Sequence, residues 1–338
     1  MRELADTARQ WAAQGRTGVL ARPVTEQGFG PRHPTDAVLI DEDGHCHGTL
    51  YLGVFDEHLA VEAAALTEGH TARVCEVSVH NDEVKQAGLT CGGQAEILLQ
   101  PLDTIPARWW ALLGEGADAA LITRLDEGRT RAVSTVVTPE QQEQQEQQEC
   151  DGLEGPVQAV ERARDLLVRR RAGRDARSTD DGLLLIESFP AVPHLVIAGG
   201  GELAELLVAQ AHLLGWQASV VPAAQDVVKL IADRPAAACL IVLSHEPDVD
   251  IPALHTALTT GVAYVGALGS RRTQARRAQA LAEAGLDEAH IGRIHGPIGL
   301  DLGARTPAET ALAVCAEVLA ALDGREARGM RDKAATKQ

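Results

Sequence analysis

The spacing of apolar positions changes character near the middle of this chain. From residue 194 onward, short apolar runs alternate with helix-length segments. A strand over 194–198 meets Gly199-Gly200-Gly201, and a helix over 202–214 follows. The rhythm continues as strand 218–221, helix 224–232, strand 238–243, helix 251–258, strand 263–265 and helix 271–284. Strands alternating with helices of this length predict a parallel sheet with right-handed crossovers, whose ligands bind beyond the carboxyl ends of the strands. The first half has no such rhythm. Its patterning predicts helices over 4–13 and 57–66, and strands over 18–21, 37–40, 71–79 and 94–99, with a hairpin signal at Asp41-Glu42-Asp43-Gly44. Residues 152–177 read as helical and 182–188 as a strand.

The fold class expected is therefore α/β, a C-terminal Rossmann-type parallel-sheet domain preceded by a mixed α+β N-terminal domain. The boundary is marked by residues 140–149, three Glu-Gln-Gln units and a closing glutamate, a tract too polar to bury anything. The expected organisation is an α+β domain over 1–139, then a linker, helix and connecting strand over 140–190. A Rossmann-like domain over 191–325 and a polar tail over 326–338 complete it.

Composition narrows the function. The 338 residues carry 48 acids against 31 bases, a formal charge of −17, which disfavours nucleic acid and anionic membrane surfaces as partners. An anionic ligand must then be drawn in by local donors. No apolar run is long enough to cross a bilayer, and the N-terminal residues lack the apolar stretch of a secretory signal, so a cytoplasmic location is expected. The six cysteines (46, 75, 91, 150, 239 and 315) form no Cys-x-x-Cys pair. Cys239 and Cys315 fall at core positions, and only Cys91 sits in a glycine turn.

Four segments carry candidate chemistry. Gly199-Gly200-Gly201-Glu202-Leu203-Ala204 fits the Gly-x-Gly-x-x-Ala pattern between a strand and a helix, where Gly199 permits a tight turn and Gly201 lets the backbone approach a phosphate. Two features oppose a standard nicotinamide site: the Glu202 carboxylate, and the absence of an acid after Val220-Val221 to bond a ribose hydroxyl. A Rossmann domain with a vestigial loop is the plainer alternative. His245, at a strand end, suits ligand contact and a structural role about equally. In Gly269-Ser270-Arg271-Arg272, Ser270 is an N-cap candidate, and two cations in the first helical turn oppose the helix dipole, which calls for a compensating anion. The loop from His295 through Asp301 to Arg305 is richer in glycine and charge than a connector needs, while Thr306-Pro307-Ala308-Glu309 is a helix start. In the first half, Cys91-Gly92-Gly93 exposes a thiol that suits nucleophilic, sulfur-handling or metal-contacting work, although composition alone favours a tight turn with an incidental cysteine. His45-Cys46-His47 looks like a metal cluster, but alternate residues there face opposite sides.

Together, Gly-Leu-Thr-Cys-Gly-Gly (88–93), the central glycine turn, Tyr-Val-Gly-Ala-Leu-Gly-Ser-Arg-Arg (264–272) and the long motif over 294–309 closely resemble the XdhC/CoxI family of accessory proteins for molybdenum hydroxylases. The resemblance implies a molybdenum cofactor binding chaperone, not a turnover enzyme, that assists sulfuration and insertion of the cofactor into a xanthine dehydrogenase or carbon monoxide dehydrogenase type of enzyme. The cargo would be molybdopterin or its dinucleotide form. The partners would be an apo-molybdenum hydroxylase, a cysteine desulfurase and a second copy of the chain. The cofactor-binding set it implies is Cys91, Gly92, Gly93, Gly199, Gly201, His245, Gly269, Ser270, Arg271, Arg272, His295, Asp301 and Arg305, with Cys91 at the molybdenum or sulfur.

The chain departs from the family at three points. A family cysteine is replaced by Val54 within Tyr51-Leu52-Gly53-Val54-Phe55-Asp56. The Gly-Ser-Ser-Pro-Arg motif survives only as Gly28-Phe29-Gly30-Pro31-Arg32, and Glu202 stands where histidine is frequent. The loss of one thiol puts in question a mechanism that needs both. The rival expectation is an NAD(P)-dependent oxidoreductase. A nucleotidyltransferase ranks last, because no glycine-rich, basic phosphate loop lies near the N-terminus.

Overall fold

The structure, a computed structural model, describes residues 1–29, 35–66, 69–79, 92–139, 156–233, 235–325 and 327. The chain divides into two units, Met1–Pro190 and Ala191–Gln338.

The first unit runs α1 (Ala5–Ala13), β1 (Gly18–Gln27), β2 (Val38–Asp41), β3 (Cys46–Gly48), α2 (Asp56–Ala64), β4 (Arg73–Val79), β5 (Gly93–Pro101) and α3 (Ala107–Gly114). It continues with β6 (Ala119–Asp126), β7 (Ala132–Val137), α4 (Pro156–Val168), β8 (Gly173–Thr179) and β9 (Gly182–Phe189). Two antiparallel sheets result, ordered β3-β2-β1-β5-β4 and β7-β6-β9-β8. Val24 and Leu98 of one pack against Leu125, Leu183 and Leu185 of the other, and α2 and α4 cover the outer faces.

Between the sheets lies a buried polar knot. Arg22 donates from Nε to Glu187 (2.5 Å) and from Nη2 to Gln100 (2.7 Å) and Thr123 (3.1 Å), and Arg174 binds the other Glu187 oxygen at 2.9 Å. Arg22 and Glu187 are fully buried, so each charge depends on the other for compensation. This explains why the apolar pattern predicts only 18–21 while β1 extends to Gln27: a charged residue occupies an inward position and interrupts the alternation.

The expected helix over 152–177 requires correction. Helix α4 ends at Val168, with Arg170 in the left-handed region (φ 51°), and Gly173–Thr179 is a strand. That strand, Gly-Arg-Asp-Ala-Arg-Ser-Thr, is polar on both faces, so periodicity gives no sign of it. It forms because it pairs with β9 and because Arg174 reaches Glu187. Strands β6 and β7 and helix α3 are further elements that the apolar pattern does not predict.

The second unit matches its rhythm closely. Its elements are β10 (His194–Ala198), α5 (Glu202–Leu213), β11 (Gln217–Val221), α6 (Ala224–Asp233), β12 (Ala238–Val242), α7 (Pro247–Thr260), β13 (Tyr264–Ala267), α8 (Arg271–Glu283), α9 (Glu288–Ile291), β14 (Ile294–His295) and α10 (Pro307–Leu322). The sheet is parallel throughout, ordered β11-β10-β12-β13-β14. Helices α5 and α10 pack on one face, against Leu195, Ile197 and Ile241. Helices α6, α7 and α8 pack on the other, against Val196, Leu240 and Val265. The α/β expectation with a Rossmann-type second half and a mixed first half is what the structure has. Among the described residues, no helix is long and apolar enough to cross a membrane.

Candidate functional site

In a sheet of this order the crevice lies at the carboxyl ends of β10 and β12, where the chain reverses its winding direction. Gly199 follows β10 with φ 116°, and a Cβ there would lie 2.8 Å from the Ser244 nitrogen beyond β12. Only glycine allows the two strand-end loops to sit this close. Gly200 and Gly201 face open space, and no hydrogen bond among the described residues uses their backbone N–H groups. Gly201 is also the N-cap of α5 and contributes no side chain, so the start of that helix stays open to an anion. Glu202 is exposed in the first helical turn.

The neighbouring loops are tied by a residue outside the sequence-derived set. Arg277 is buried in α8 and donates to Asp250 of α7 at 2.6 and 2.9 Å, to the Ser244 carbonyl at 2.8 Å and to the Leu268 carbonyl at 2.6 Å. One guanidinium therefore fixes the chain beyond both β12 and β13. Its position one turn before the core residue Leu281 is the signal that could have found it, a charge on the buried stripe of a helix. Ser270 caps α8 by accepting from the Thr273 N–H at 3.3 Å. Arg271 and Arg272, in the first turn, are exposed and pair with no carboxylate among the described residues. His245 is exposed beyond Ser244, with no hydrogen-bond partner among the described residues.

His295 ends β14 and has a constructed environment. Its Nδ1 lies 3.3 Å from Glu317 Oε1, and its ring packs at a tilt of 32° against Tyr264 with centroids 4.6 Å apart. The other Glu317 oxygen accepts from the Tyr264 hydroxyl (2.6 Å) and the Gly299 N–H (2.8 Å). Burial pushes the Glu317 carboxyl up, but the bonds from His295, Tyr264 and Gly299 more than reverse this, leaving it below the usual carboxylate range. Burial, then Glu317, pushes the Tyr264 phenol up, so it remains a donor. Glu317 is absent from the sequence-derived set because it lies in the interior of α10, 22 residues from His295. Asp301 and Arg305 are exposed. The start signal beyond them forms a full capping box, with Glu309 accepting from the Arg305 and Thr306 N–H groups and Thr306 accepting from Glu309.

In the first unit, motifs far apart in sequence meet. Gly28 has φ 93°, and a Cβ there would lie 2.5 Å from the Gly92 carbonyl; a Cβ on Gly93 would lie 2.6 Å from the Gln27 oxygen and the Phe29 nitrogen. The end of β1 and the start of β5 thus touch backbone to backbone. Phe29 stacks on Tyr51 (4.2 Å), which meets Phe55 edge-on (5.5 Å). Residues 28–29, 51–55 and 92–93 form one locality, with Val54 exposed in it. Leu52 keeps a left-handed conformation (φ 59°) that glycine would adopt at lower cost. Cys91, Gly30, Pro31, Arg32, Cys150, the 140–149 tract and most of the polar tail lie outside the described residues. Burial pushes the thiols of Cys46, Cys75 and Cys315 up to about 11 each, so none is an activated nucleophile. The Asp41, Asp43 and His45 side chains converge within 4.8 Å. Asp41 Oδ1 is already occupied by the Asp43 and His45 N–H groups, which makes the convergence a turn feature, and Cys46 faces the Asp56 carbonyl instead.

Among known proteins, the XdhC Rossmann domain model matches residues 195–318, and that of the XdhC and CoxI family matches residues 11–78. Over 191 residues the chain is 29% identical to the uncharacterized protein YqeB of Escherichia coli (strain K12), covering 49% of this chain and 35% of that protein. Over 79 residues it is 38% identical to the molybdenum cofactor insertion chaperone PaoD of the same organism, covering 23% of this chain and 25% of that one. The matched stretches span about a third and a quarter of these relatives. A solved structure from Bacillus halodurans, described as a xanthine dehydrogenase, superposes with a TM-score of 0.59 at 20% identity over 96% of both chains. At that identity the likeness is one of fold.

Proposed function

Because the chain belongs to the XdhC/CoxI family, we propose that it is a molybdenum cofactor binding chaperone that assists insertion of the cofactor into an apo-molybdenum hydroxylase. The observation that carries this reading is the carboxyl edge of the second unit. Two glycine N–H groups, an uncapped helix start and two arginines offer donors there, and none is hydrogen-bonded or ion-paired to a carboxylate among the described residues, although Glu202 and Glu205 lie in the first turn of the same helix. That chemistry fits the phosphate of a molybdopterin or the pyrophosphate of its dinucleotide form. Gly199, Gly201, Gly269, Ser270, Arg271, Arg272, His245, His295, Asp301 and Arg305 are the residues assigned to the cargo in this unit. Cys91, beside Gly92 and Gly93, is assigned as the thiol for molybdenum or sulfur.

Sulfuration with a cysteine desulfurase, and action as a homodimer, belong to the same proposal. Val54 argues that any sulfur handling uses a single thiol. The test is to purify the protein from a molybdenum-replete host and measure bound molybdenum and pterin. Retention of both, lost in Cys91→Ala with the circular dichroism spectrum unchanged, is the expected result. Absence of both, with no affinity for added cofactor, overturns the reading. A nicotinamide role is opposed by β11 ending at Val221 and running into Pro222 with no acid for a ribose.

A further inference from the structure

Glu317, Tyr264 and His295 form a cluster that the family motifs do not predict, because its central member lies inside a helix. A carboxylate accepts and does not donate, so the His295 nitrogen facing Glu317 must carry a hydrogen. That assignment leaves Nε2 as the nitrogen without a hydrogen in the neutral ring. Nε2 has no partner among the described residues and is not one of the buried atoms left without a hydrogen bond, so it opens to solvent at the carboxyl edge. The ring cannot easily turn away, being packed against Tyr264 while Glu317 is itself fixed by the Tyr264 hydroxyl and the Gly299 N–H.

Helix α10 presents Glu317 and β13 presents Tyr264. Helix α8 presents the neutral Gln274, whose amide would lie 2.7 Å from a Cβ on the next residue, Gly296. Glu317 is the carboxylate that pairs with the ring. A second anion at Nε2 would complete a carboxylate–imidazolium–anion chain of charge-assisted hydrogen bonds.

We propose that His295 binds the cargo as a cation: Nε2 takes a proton from solvent on binding, keeps it, and donates a hydrogen bond through it to an anionic phosphate oxygen, while Glu317 is the positioning residue that holds Nδ1–H. This rests on the reading of the carboxyl edge as the phosphate site. Capture of the ligand is then coupled to uptake of a proton, and release is favoured as the pH rises through the imidazole range. The bond made is Nε2–H to the phosphate oxygen, and the proton returns to solvent on release.

The test uses the full-length chain and ADP-ribose, a pyrophosphate diester whose own phosphates keep their charge across pH 6–8. Calorimetric titration in buffers of different ionisation enthalpy reads the protons taken up, and the pH profile reads the coupling. The expected result is uptake that rises toward one proton as the pH goes from 6 to 8, with affinity falling by up to roughly tenfold per pH unit above the imidazole pKa. His295→Gln should abolish the uptake. Glu317→Gln distinguishes positioning from mere support. Its amide can still accept from Tyr264 and Gly299, but it turns an N–H toward Nδ1, so the neutral ring carries its hydrogen on Nε2 instead. That variant should still bind ADP-ribose, with a flat pH profile and no proton uptake. Uptake in Glu317→Gln equal to that of the parent overturns the positioning role. ADP-ribose binding without uptake in the parent overturns the inference, and retention of molybdenum cofactor in the same preparation would leave the proposed function standing. Proton-coupled ADP-ribose binding by a chain that takes up no molybdenum cofactor would do the reverse. No ADP-ribose binding at any pH also overturns the inference.

Discussion

Replacing Arg277 with methionine tests whether a single buried guanidinium holds the strand-end loops of the second unit. The side chain is 5% exposed and its partner Asp250 4%. Two hydrogen bonds join them, at 2.6 and 2.9 Å, and two more reach the Ser244 and Leu268 carbonyls. Asp250 Oδ1 has no partner as it stands, so removing Arg277 leaves a buried carboxylate with nothing to offset its desolvation. Breaking a buried pair from one side costs roughly 3–5 kcal/mol. For a unit of this size that corresponds to a fall in Tm of roughly 6–20 °C, read by scanning calorimetry. The double variant Arg277→Met/Asp250→Leu should recover a substantial part of the loss, since no charge then remains buried. The two carbonyls stay unserved, so recovery should be incomplete. A loss below about 1 kcal/mol for Arg277→Met, or a double variant less stable than the single one, would refute the reasoning, because either result means that the pair is not desolvated as its burial implies.

Gly93→Ala places a Cβ 2.6 Å from two backbone atoms; overpacking of this kind should cost roughly 1–3 kcal/mol in a urea melt, whereas Gly215→Ala, with no crowding neighbour, should cost only the strain of its positive φ. Removing the Thr306 cap of α10 by Thr306→Ala should cost roughly 0.5–2 kcal/mol by the same measurement. Asp126 accepts the Arg131 and Thr130 N–H groups across the β6–β7 turn, which holds its carboxyl below the usual range. Its contribution is thus present above the unfolded-state pKa and lost as the pH falls through the depressed folded one. Asp126→Asn should lower stability at pH 7 and narrow the gap between pH 7 and pH 3; an unchanged gap would refute the assignment. Arg271→Ala/Arg272→Ala should weaken ADP-ribose binding and flatten its salt dependence, while the melting temperature stays put.

The second unit was legible because a parallel sheet covered on both faces writes its strands as continuous apolar runs, each bounded by the turn chemistry of the next helix. Periodicity alone therefore placed β10, β12 and α5, and the strand order it implied put ligand binding beyond the carboxyl ends of the strands; the close approach of Gly199 to Ser244 came only with the fold. The cap signals at Ser270 and at Thr306–Glu309 were equally local, and both form as their residue types dictate. The first unit was harder to read. Arg22 sits at an inward position of β1 and pairs with Glu187, 165 residues later. Strand β8 is polar on both faces and exists only through its partner β9. The approach of Gly28 to Gly92 and Gly93 joins motifs more than sixty residues apart. At the carboxyl edge, sequence supplied candidate residues but not the groups that hold them: Arg277 for the loops and Glu317 for His295. Sequence by itself determined the features that nearest neighbours set, namely period, turn and cap. Tertiary structure decided which buried charges find a partner, because a desolvated charge is tolerated only where folding brings its counter-charge into contact.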